Sequence, residues 1–350
     1  MKIVRFYGNM EFKVDEIEKP KIKQGHVLVK TEYCGICGSD VLHVLKNESP
    51  FFPNTFGHEF SGTVEEIGEG VTSVKPGDVV AVVPLLICHN CVYCHEGKFG
   101  QCLNRKFIGY RVPDAGGFSE YNLMPEENCL KMPDGINKIH AAFVEPASVA
   151  VHGLMRLPFV PGKDIAIVGA GSIGIMALQV AKAWGANNIY VFDIKDNALE
   201  NAKKNGATHV YNTGKEGFLE QYLSDTEGGL GVPMVVEFCG LPSTVRLCFD
   251  ICRAGGDIAI VGTVTETLEI PAEMFYYVFE FKEYNLHGVW QSYSENFPGD
   301  EWRFAARYLN DKTIDVEPMI YQIAKTEEAN EIFADFAVPG KVKGKVLLHF

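Results

Sequence analysis

The sequence predicts an α/β protein with two domains, one built on a doubly wound parallel sheet and one rich in short strands. Two observations lead to this prediction. Strand-like and helix-like segments alternate over residues 151–290, a rhythm that is typical of βαβ units and a parallel sheet. Residues 1–150 instead carry short β-branched segments bounded by glycine or proline, at 27–33, 60–67 and 78–83.

The alternating region can be followed element by element. It is predicted to begin with an apolar strand at 164–168 and an apolar helix at 173–184. A polar-faced helix is predicted at 197–205, and further strands are predicted at 188–193, 234–238, 257–261 and 285–289. Beyond residue 290 the pattern is irregular, with helices predicted at 301–309 and 327–336.

Composition excludes several classes of protein. The chain has 350 residues and a net charge of −13, which argues against a general nucleic-acid binder because such proteins need a basic surface. No apolar run reaches the roughly 20 residues of a membrane span. The first residues alternate between apolar and polar types, so we expect no signal peptide and a cytoplasmic location. There the ten cysteines are expected to be thiols or metal ligands rather than disulfides.

Four of the cysteines follow the compact pattern C-x2-C-x2-C-x7-C. They are Cys88, Cys91, Cys94 and Cys102. Four thiolates can wrap one zinc ion in a tetrahedron that has no open position, so we predict a structural zinc. The alternatives are free or oxidised cysteines in a surface loop, or a redox C-x-x-C pair. His89 and His95 lie within the same loop as competing ligands.

Three more residues of metal-binding type are scattered along the chain. These are Cys37 in GICGSD, His58 in GHEFSG and Glu145 in VEPAS. Taken singly, a cysteine is usually a packed thiol and a glutamate is usually a solvated surface charge. Taken together, they supply three ligands and leave a fourth position for water or substrate, which is the pattern of a catalytic zinc. A zinc of this kind acidifies a bound alcohol near neutral pH.

The segment GAGSIG at 169–174 follows the strand DIAIV and opens the predicted helix at 173–184. In this context the glycines permit a tight turn, close approach of a pyrophosphate and close packing of the helix on the strand, the signature of a Rossmann dinucleotide site. The expected cofactor contacts are Gly169, Gly171, Ser172, Ile173 and Gly174. A Rossmann fold that binds no nucleotide is the alternative.

Asp193 ends the next predicted strand, 19 residues after Gly174. A carboxylate at this position hydrogen-bonds the ribose hydroxyls of NAD and repels a 2′-phosphate. The residues that follow Asp193 are Ile194 and Lys195, so no arginine is present to accept that phosphate. We therefore predict NAD rather than NADP, with Asp193 and Lys195 among the cofactor contacts.

In this order and spacing, GICGSD, GHEFSG, the four-cysteine loop, Glu145-Pro146 and GAGSIG resemble the zinc-dependent medium-chain alcohol and polyol dehydrogenases. The resemblance covers essentially the whole chain. It implies a GroES-like catalytic domain formed by residues 1–150 and 291–350, interrupted by a Rossmann NAD-binding domain at 151–290. It also implies a homodimer or homotetramer. Glu145 stands where classical alcohol dehydrogenases carry a cysteine, as in the sorbitol-type enzymes.

The resemblance also implies roles for individual residues. Cys37, His58 and Glu145 would ligate the catalytic zinc, and Glu59 would contact it directly or through water. Asp40 would orient His58 from behind, and Ser39 would accept the proton of the substrate hydroxyl.

One position departs from the family pattern. The histidine that relays the proton in alcohol dehydrogenases falls five residues after the zinc cysteine, where this sequence has Leu42. His43 comes one residue late, which leaves water or the cofactor ribose as alternative routes for the proton.

A narrower similarity, to the galactitol-1-phosphate 5-dehydrogenases of the same family, rests on the segments AVVPLL and FIGYR…GGF and on the stretch from Trp290 to Trp302. This similarity implies oxidation of galactitol 1-phosphate to tagatose 6-phosphate, with Lys46, Arg111 and Trp290 near the substrate. The alternatives within the family are dehydrogenases of non-phosphorylated polyols, butanediol or threonine. The alternative outside it is a non-catalytic zinc protein that senses nucleotide.

Overall fold

The computed structural model describes all 350 residues. The chain divides into two compact units, one formed by Met1–Pro146 and Tyr293–Phe350 and the other by Ala147–Ser292. None of the helices combines the length and the apolar character that crossing a bilayer requires.

Elements are numbered in chain order. The first strands are β1 (Lys2–Gly8), β2 (Glu11–Glu16), β3 (His26–Gly35), β4 (Glu59–Ile67), β5 (Val79–Val82), β6 (Leu85–Leu86), β7 (Lys106–Phe107), β8 (Tyr121–Pro125) and β9 (Cys129–Lys131). The helices in the same stretch are α1 (Gly38–Leu45), α2 (Val92–His95), α3 (Lys138–Ala141) and α4 (Val144–Met155).

The second unit contains the strands β10 (Ile165–Val168), β11 (Ile189–Asp193), β12 (His209–Asn212), β13 (Val232–Glu237), β14 (Cys252–Ile260) and β15 (Asn285–Gly288). Its helices are α5 (Ser172–Ala183), α6 (Asp196–Asn205), α7 (Phe218–Ser224), α8 (Pro242–Ile251) and α9 (Ala272–Phe275), followed by a π-helical segment, Tyr276–Phe281. The chain ends with α10 (Asp300–Asn310), β16 (Ile320–Lys325), α11 (Ala329–Phe336) and β17 (Lys345–His349).

The second unit is built on a six-stranded sheet in the order β12-β11-β10-β13-β14-β15. All of its strand pairs are parallel. Every residue of β10 is buried, as expected for a strand with helices on both faces. The strand order reverses between β10 and β13, and open sheets of this kind bind ligands at that switch point. The predicted doubly wound parallel sheet is therefore confirmed.

The first unit is built on a mainly antiparallel sheet in the order β16-β17-β3-β4-β5-β9, with β8 also paired to β3. Its core is aromatic and includes the fully buried Phe56, Phe60 and Phe118. In the register, Gly35 at the end of β3 faces Glu59 of β4 on one side and Leu347 of β17 on the other. The last strand of the chain therefore lies beside the strand ends that carry the predicted metal ligands.

Candidate functional site

Cys37, His58 and Glu59 form a three-residue group in the first unit. Their ligand atoms all lie within 4.8 Å of one another. Cys37 is the N-cap of α1, whereas His58 directly precedes β4 and Glu59 begins it. A thiol, an imidazole and a carboxylate are ligands that zinc accepts, and three of them leave one position open. The residues present therefore fit a catalytic metal site.

Glycines near this group allow the backbone to approach closely and to adopt conformations that other residues rarely adopt. A side chain at Gly35 would collide with the carboxylate of Glu59 across the β3–β4 pair. Gly57, next to His58, has a φ of +92°, a backbone conformation that L side chains rarely adopt. The carbonyl oxygen of Gly57 also lies so close to Gly109 that a Cβ atom added to Gly109 would clash with it. The loop after β7 is thereby fixed against the histidine.

Asp40 connects Cys37 to His58. One oxygen of the Asp40 carboxylate accepts a hydrogen bond of 3.2 Å from the backbone N–H of Cys37. The other lies 3.5 Å from Nδ1 of His58, an ion-pair contact that is longer than a good hydrogen bond. Burial disfavours a charged imidazole, but Asp40 and Cys37 outweigh burial and raise the pKa of His58 well above its usual value. A metal must displace that proton, because a ligating imidazole is neutral.

Lys345 is the residue of this site that the sequence did not reveal. Its Nζ lies 2.8 and 2.6 Å from the two carboxylate oxygens of Glu59, and both side chains are buried. It also donates to the carbonyl oxygen of Ile36, 3.2 Å away. Lys345 lies 286 positions from Glu59 in the chain, on a strand that the periodicity did not predict, so no local signal pointed to it.

Glu145 lies outside the three-residue group, on α4. Its side chain is buried, and burial is the main reason why its pKa is raised, to about 7, with His58 opposing and Glu59 adding to the shift. The charges of His58 and Glu59 therefore act on Glu145 even though its carboxylate does not join their cluster. Direct ligation of a metal by Glu145 stays a prediction.

Ser39 lies in the first turn of α1, two residues after Cys37, and its side chain is exposed. His43 lies one turn further on and stacks on Tyr110, with ring centroids 4.2 Å apart. The ring centroids of Phe107 and His58 lie 5.4 Å apart. Phe107 of β7 and Tyr110 of the loop after it therefore cover the two imidazoles with aromatic rings.

Of the predicted substrate residues, Arg111 lies in this loop and Lys46 lies at the end of α1. Arg111 follows Tyr110, and its guanidinium carbon is 5.6 Å from the centre of that ring. Lys46 caps the C-terminus of α1. Both side chains are exposed, and neither is ion-paired. Trp290, 45% exposed, belongs to the second unit.

The four-cysteine cluster is formed around α2. Cys91 Sγ lies 3.6 Å from Cys94 Sγ, which is 4.0 Å from Cys88 Sγ, and Cys102 Sγ accepts from the backbone N–H of Cys88. A tetrahedron with Zn–S bonds of about 2.3 Å has S–S edges of about 3.8 Å, whereas a disulfide needs about 2.05 Å. Backbone hydrogen bonds, chiefly from Asn90, lower the pKa of Cys88 to about 6. The cluster fits a tetrahedral zinc.

The glycine-rich turn in the second unit joins β10 to α5. Gly169 has a φ of +101°, and a side chain at Gly174 would collide with the carbonyl oxygen of Gly169. Asp193, at the carboxyl end of β11, accepts hydrogen bonds from the backbone N–H groups of Ala170 at 2.8 Å and Lys195 at 2.9 Å. The structure thus brings the predicted ribose-binding carboxylate to the turn that would receive the pyrophosphate.

Comparison with known proteins matches two family models, the alcohol dehydrogenase GroES-like domain over residues 23–134 and the zinc-binding dehydrogenase domain over residues 172–307. The chain is 36% identical over 334 residues to galactitol 1-phosphate 5-dehydrogenase of Escherichia coli K12, covering 94% of this chain and 95% of that one. The chain belongs to the zinc-type alcohol and polyol dehydrogenase family.

A further relative and two solved structures are similar to the chain over nearly its whole length. Sorbitol dehydrogenase of Bacillus subtilis 168 is 33% identical over 342 residues, covering 95% of this chain and 93% of that one. The crystal structure of galactitol-1-phosphate dehydrogenase from Escherichia coli superimposes over the full length of both chains with a TM-score of 0.94 and 35% identity. A zinc-binding dehydrogenase of Sinorhizobium meliloti 1021, bound to NADP, covers 100% of this chain and 99% of its own with a TM-score of 0.89 and 29% identity.

Proposed function

We propose that the protein is a zinc-dependent, NAD-dependent dehydrogenase that oxidises a secondary hydroxyl of a polyol phosphate to a ketone, converting galactitol 1-phosphate to tagatose 6-phosphate. The observation that carries this proposal is the three-residue group of Cys37, His58 and Glu59, with the exposed Ser39 two residues after Cys37 in the chain. In a polyol dehydrogenase, a metal group with one open position and an adjacent proton acceptor are what alcohol oxidation requires.

Different residues of the chain have different roles in the proposed reaction. Cys37, His58 and Glu59 would hold the ion, and Asp40 orients the ring of His58. When bound, zinc would supply Lewis-acid polarisation of the substrate hydroxyl and NAD would supply the hydride acceptor. Ser39 accepts the substrate proton while its own proton leaves toward solvent, which its exposure permits. Leu42 has no group that could continue this relay, so water or the cofactor ribose completes the path.

A phosphorylated substrate must overcome the charge of the protein. At a net charge of −13 the chain repels anions at long range, so binding needs a local basic pocket. Lys46 and Arg111 are free of acidic partners. Arg111 lies beside Tyr110 in the loop after β7, and Lys46 lies three residues after His43, at the end of α1. We assign the phosphate to these two cations.

The phosphate assignment predicts a difference between two substrates. The KM for galactitol 1-phosphate should be at least tenfold below that for galactitol, about 1.4 kcal/mol, and Arg111→Gln should erase most of the difference. Steady-state kinetics on both substrates measures this, with Lys21→Gln, at a lysine 87% exposed, as the matched loss of one cation. Equal kcat/KM for the two polyols would show that phosphate is not recognised.

The choice of NAD is assigned to Asp193, whose carboxylate is held at the glycine turn by two backbone N–H groups. Asp193→Ala should raise the ratio of kcat/KM for NADP to that for NAD at least tenfold, because the change removes repulsion of a 2′-phosphate. Asp196→Ala removes an exposed carboxylate three residues away and should leave the ratio within about twofold. A wild type that prefers NADP would contradict the assignment.

A second copy of the chain is the proposed partner of β15, the edge strand of the six-stranded sheet. The preceding segment exposes Phe275, Tyr276, Tyr277 and Phe281 at 49–68%. Exposed aromatic clusters beside an unpaired strand edge usually mark an interface. Phe281→Asp should convert a homo-oligomer to monomers in sedimentation, whereas Val160→Asp, at an exposed apolar residue outside the segment, should not. A wild-type monomer would refute this interface.

A further inference from the structure

The pair formed by Lys345 and Glu59 lies beside the residues that would hold the metal. Nζ of Lys345 contacts both carboxylate oxygens of Glu59, at 2.8 and 2.6 Å, and the side chains are 9% and 2% exposed. No other side chain donates a hydrogen bond to this carboxylate. The Lys345 ammonium also donates to the carbonyl of Ile36, next to Cys37. The lysine thus joins the last strand of the chain to both sides of the metal group.

A buried carboxylate is costly unless a cation or several donors compensate it. Lys345 is the cation paired with both oxygens of this carboxylate, whereas Nδ1 of His58 lies 3.5 Å from Asp40 instead. Lys345 is the cation that compensates Glu59 when no metal is bound. A metal that binds Glu59 must share this carboxylate with Lys345.

We propose that Lys345 is a positioning residue that stands in for the metal, holding the carboxylate of Glu59 directed toward Cys37 and His58, and that it competes with the incoming ion for that carboxylate. This inference rests on the proposed metal site. Lys345 would then determine how tightly the open site holds its ion. The four-cysteine cluster has no lysine partner, so its zinc would be unaffected.

The competition has a consequence that structural damage would not produce. Removing the positive charge of Lys345 leaves Glu59 uncompensated in the metal-free protein and removes a repulsive charge from the metal-bound one. Both effects favour binding. Lys345→Met should therefore hold zinc at the open site at least tenfold more tightly than wild type, whereas a merely disrupted site would hold it less tightly.

The test is a competition titration in which a chromophoric chelator removes zinc from each site of the full-length protein. Lys345→Met is expected to retain open-site zinc at least tenfold more tightly, and Lys345→Arg, which keeps the charge, should stay within about threefold of wild type. Adding Glu59→Gln to Lys345→Met should abolish the gain. Zinc in the four-cysteine cluster should be released identically in all variants, which reports that the unit is folded.

If Lys345→Met does not fold, Lys345→Gln replaces it in the test, because its amide can still donate to Glu59 but carries no charge. Lys345→Gln should also bind zinc at the open site more tightly than wild type. Unchanged or weaker zinc binding in the neutral variants overturns this inference while leaving the metal site intact. A wild type that binds zinc only at the four-cysteine cluster overturns both the inference and the proposed function. Chelator titration does not depend on turnover, so the two failures are distinguishable.

Discussion

Cys37→Ala and His58→Ala are each expected to lower kcat/KM for the polyol at least a thousandfold, about 4 kcal/mol of transition-state stabilisation. The reason is that each variant removes one of three ligands from the group whose atoms lie within 4.8 Å of one another. Two ligands hold an ion weakly, and the Lewis-acid contribution of several kcal/mol is lost with it. Initial rates of NADH formation with zinc present measure the effect.

Two controls separate loss of the metal from loss of the fold. Cys34→Ala removes a buried thiol three residues from Cys37 that does not belong to the metal group, and it should keep activity within a fewfold of wild type. NAD affinity, measured by fluorescence, should be unchanged in all three variants because the glycine turn and Asp193 belong to the other compact unit. Full activity in Cys37→Ala or His58→Ala would rule out the proposed catalytic metal site.

Cys102→Ala is expected to lower the melting temperature by at least about 10 °C and the zinc content by one ion per chain. Cys102 is fully buried in the four-cysteine cluster, and a tetrahedral site with three ligands loses most of its metal affinity. Structural zinc contributes its binding free energy to folding, and each kcal/mol is worth about 2–4 °C in a compact unit of roughly 200 residues such as the one that holds the cluster. Calorimetry and elemental analysis of the same sample measure both quantities.

The matched control for that variant is Cys129→Ala. Cys129 is a buried thiol in the same unit that lies outside both metal groups, so its loss costs packing alone. Its melting temperature should fall by a few degrees and its zinc content should not change. A Cys102→Ala protein with wild-type zinc content would show that the cluster does not hold the ion.

The parts of the fold that were predicted correctly are those with a local cause. The predicted helix at 173–184 is observed as Ser172–Ala183, and the predicted strand at 60–67 as Glu59–Ile67. Apolar periodicity and flanking glycines sufficed for both. The strand predicted at 257–261 instead runs from Cys252 to Ile260. Its paired glycines look like a turn, but Gly256 lies where a Cβ would collide with Cys252 and Pro233, so it serves close strand approach.

The residues of the candidate site also fall into those that sequence motifs predict and those that only the tertiary structure brings together. Cys37, His58 and Glu59 carry recognisable motifs, and their meeting depends on the antiparallel register of β3 with β4. The ion pair of Glu59 with Lys345 depends on pairing between the last strand and β3, across almost the whole chain, which no local pattern encodes. The position of Glu145 outside the three-residue group is likewise a matter of tertiary packing rather than of spacing.

The most direct test of the proposed catalytic metal site is NADH formation from galactitol 1-phosphate by one protein sample in three states: as purified with zinc, after a chelator has emptied the open site, and after zinc is restored. We expect turnover in the first state, loss of at least a thousandfold in the second with the four-cysteine zinc retained, and recovery in the third. Undiminished turnover after the open site is emptied, or no turnover of any polyol by the protein with both zinc sites filled, would contradict the proposal.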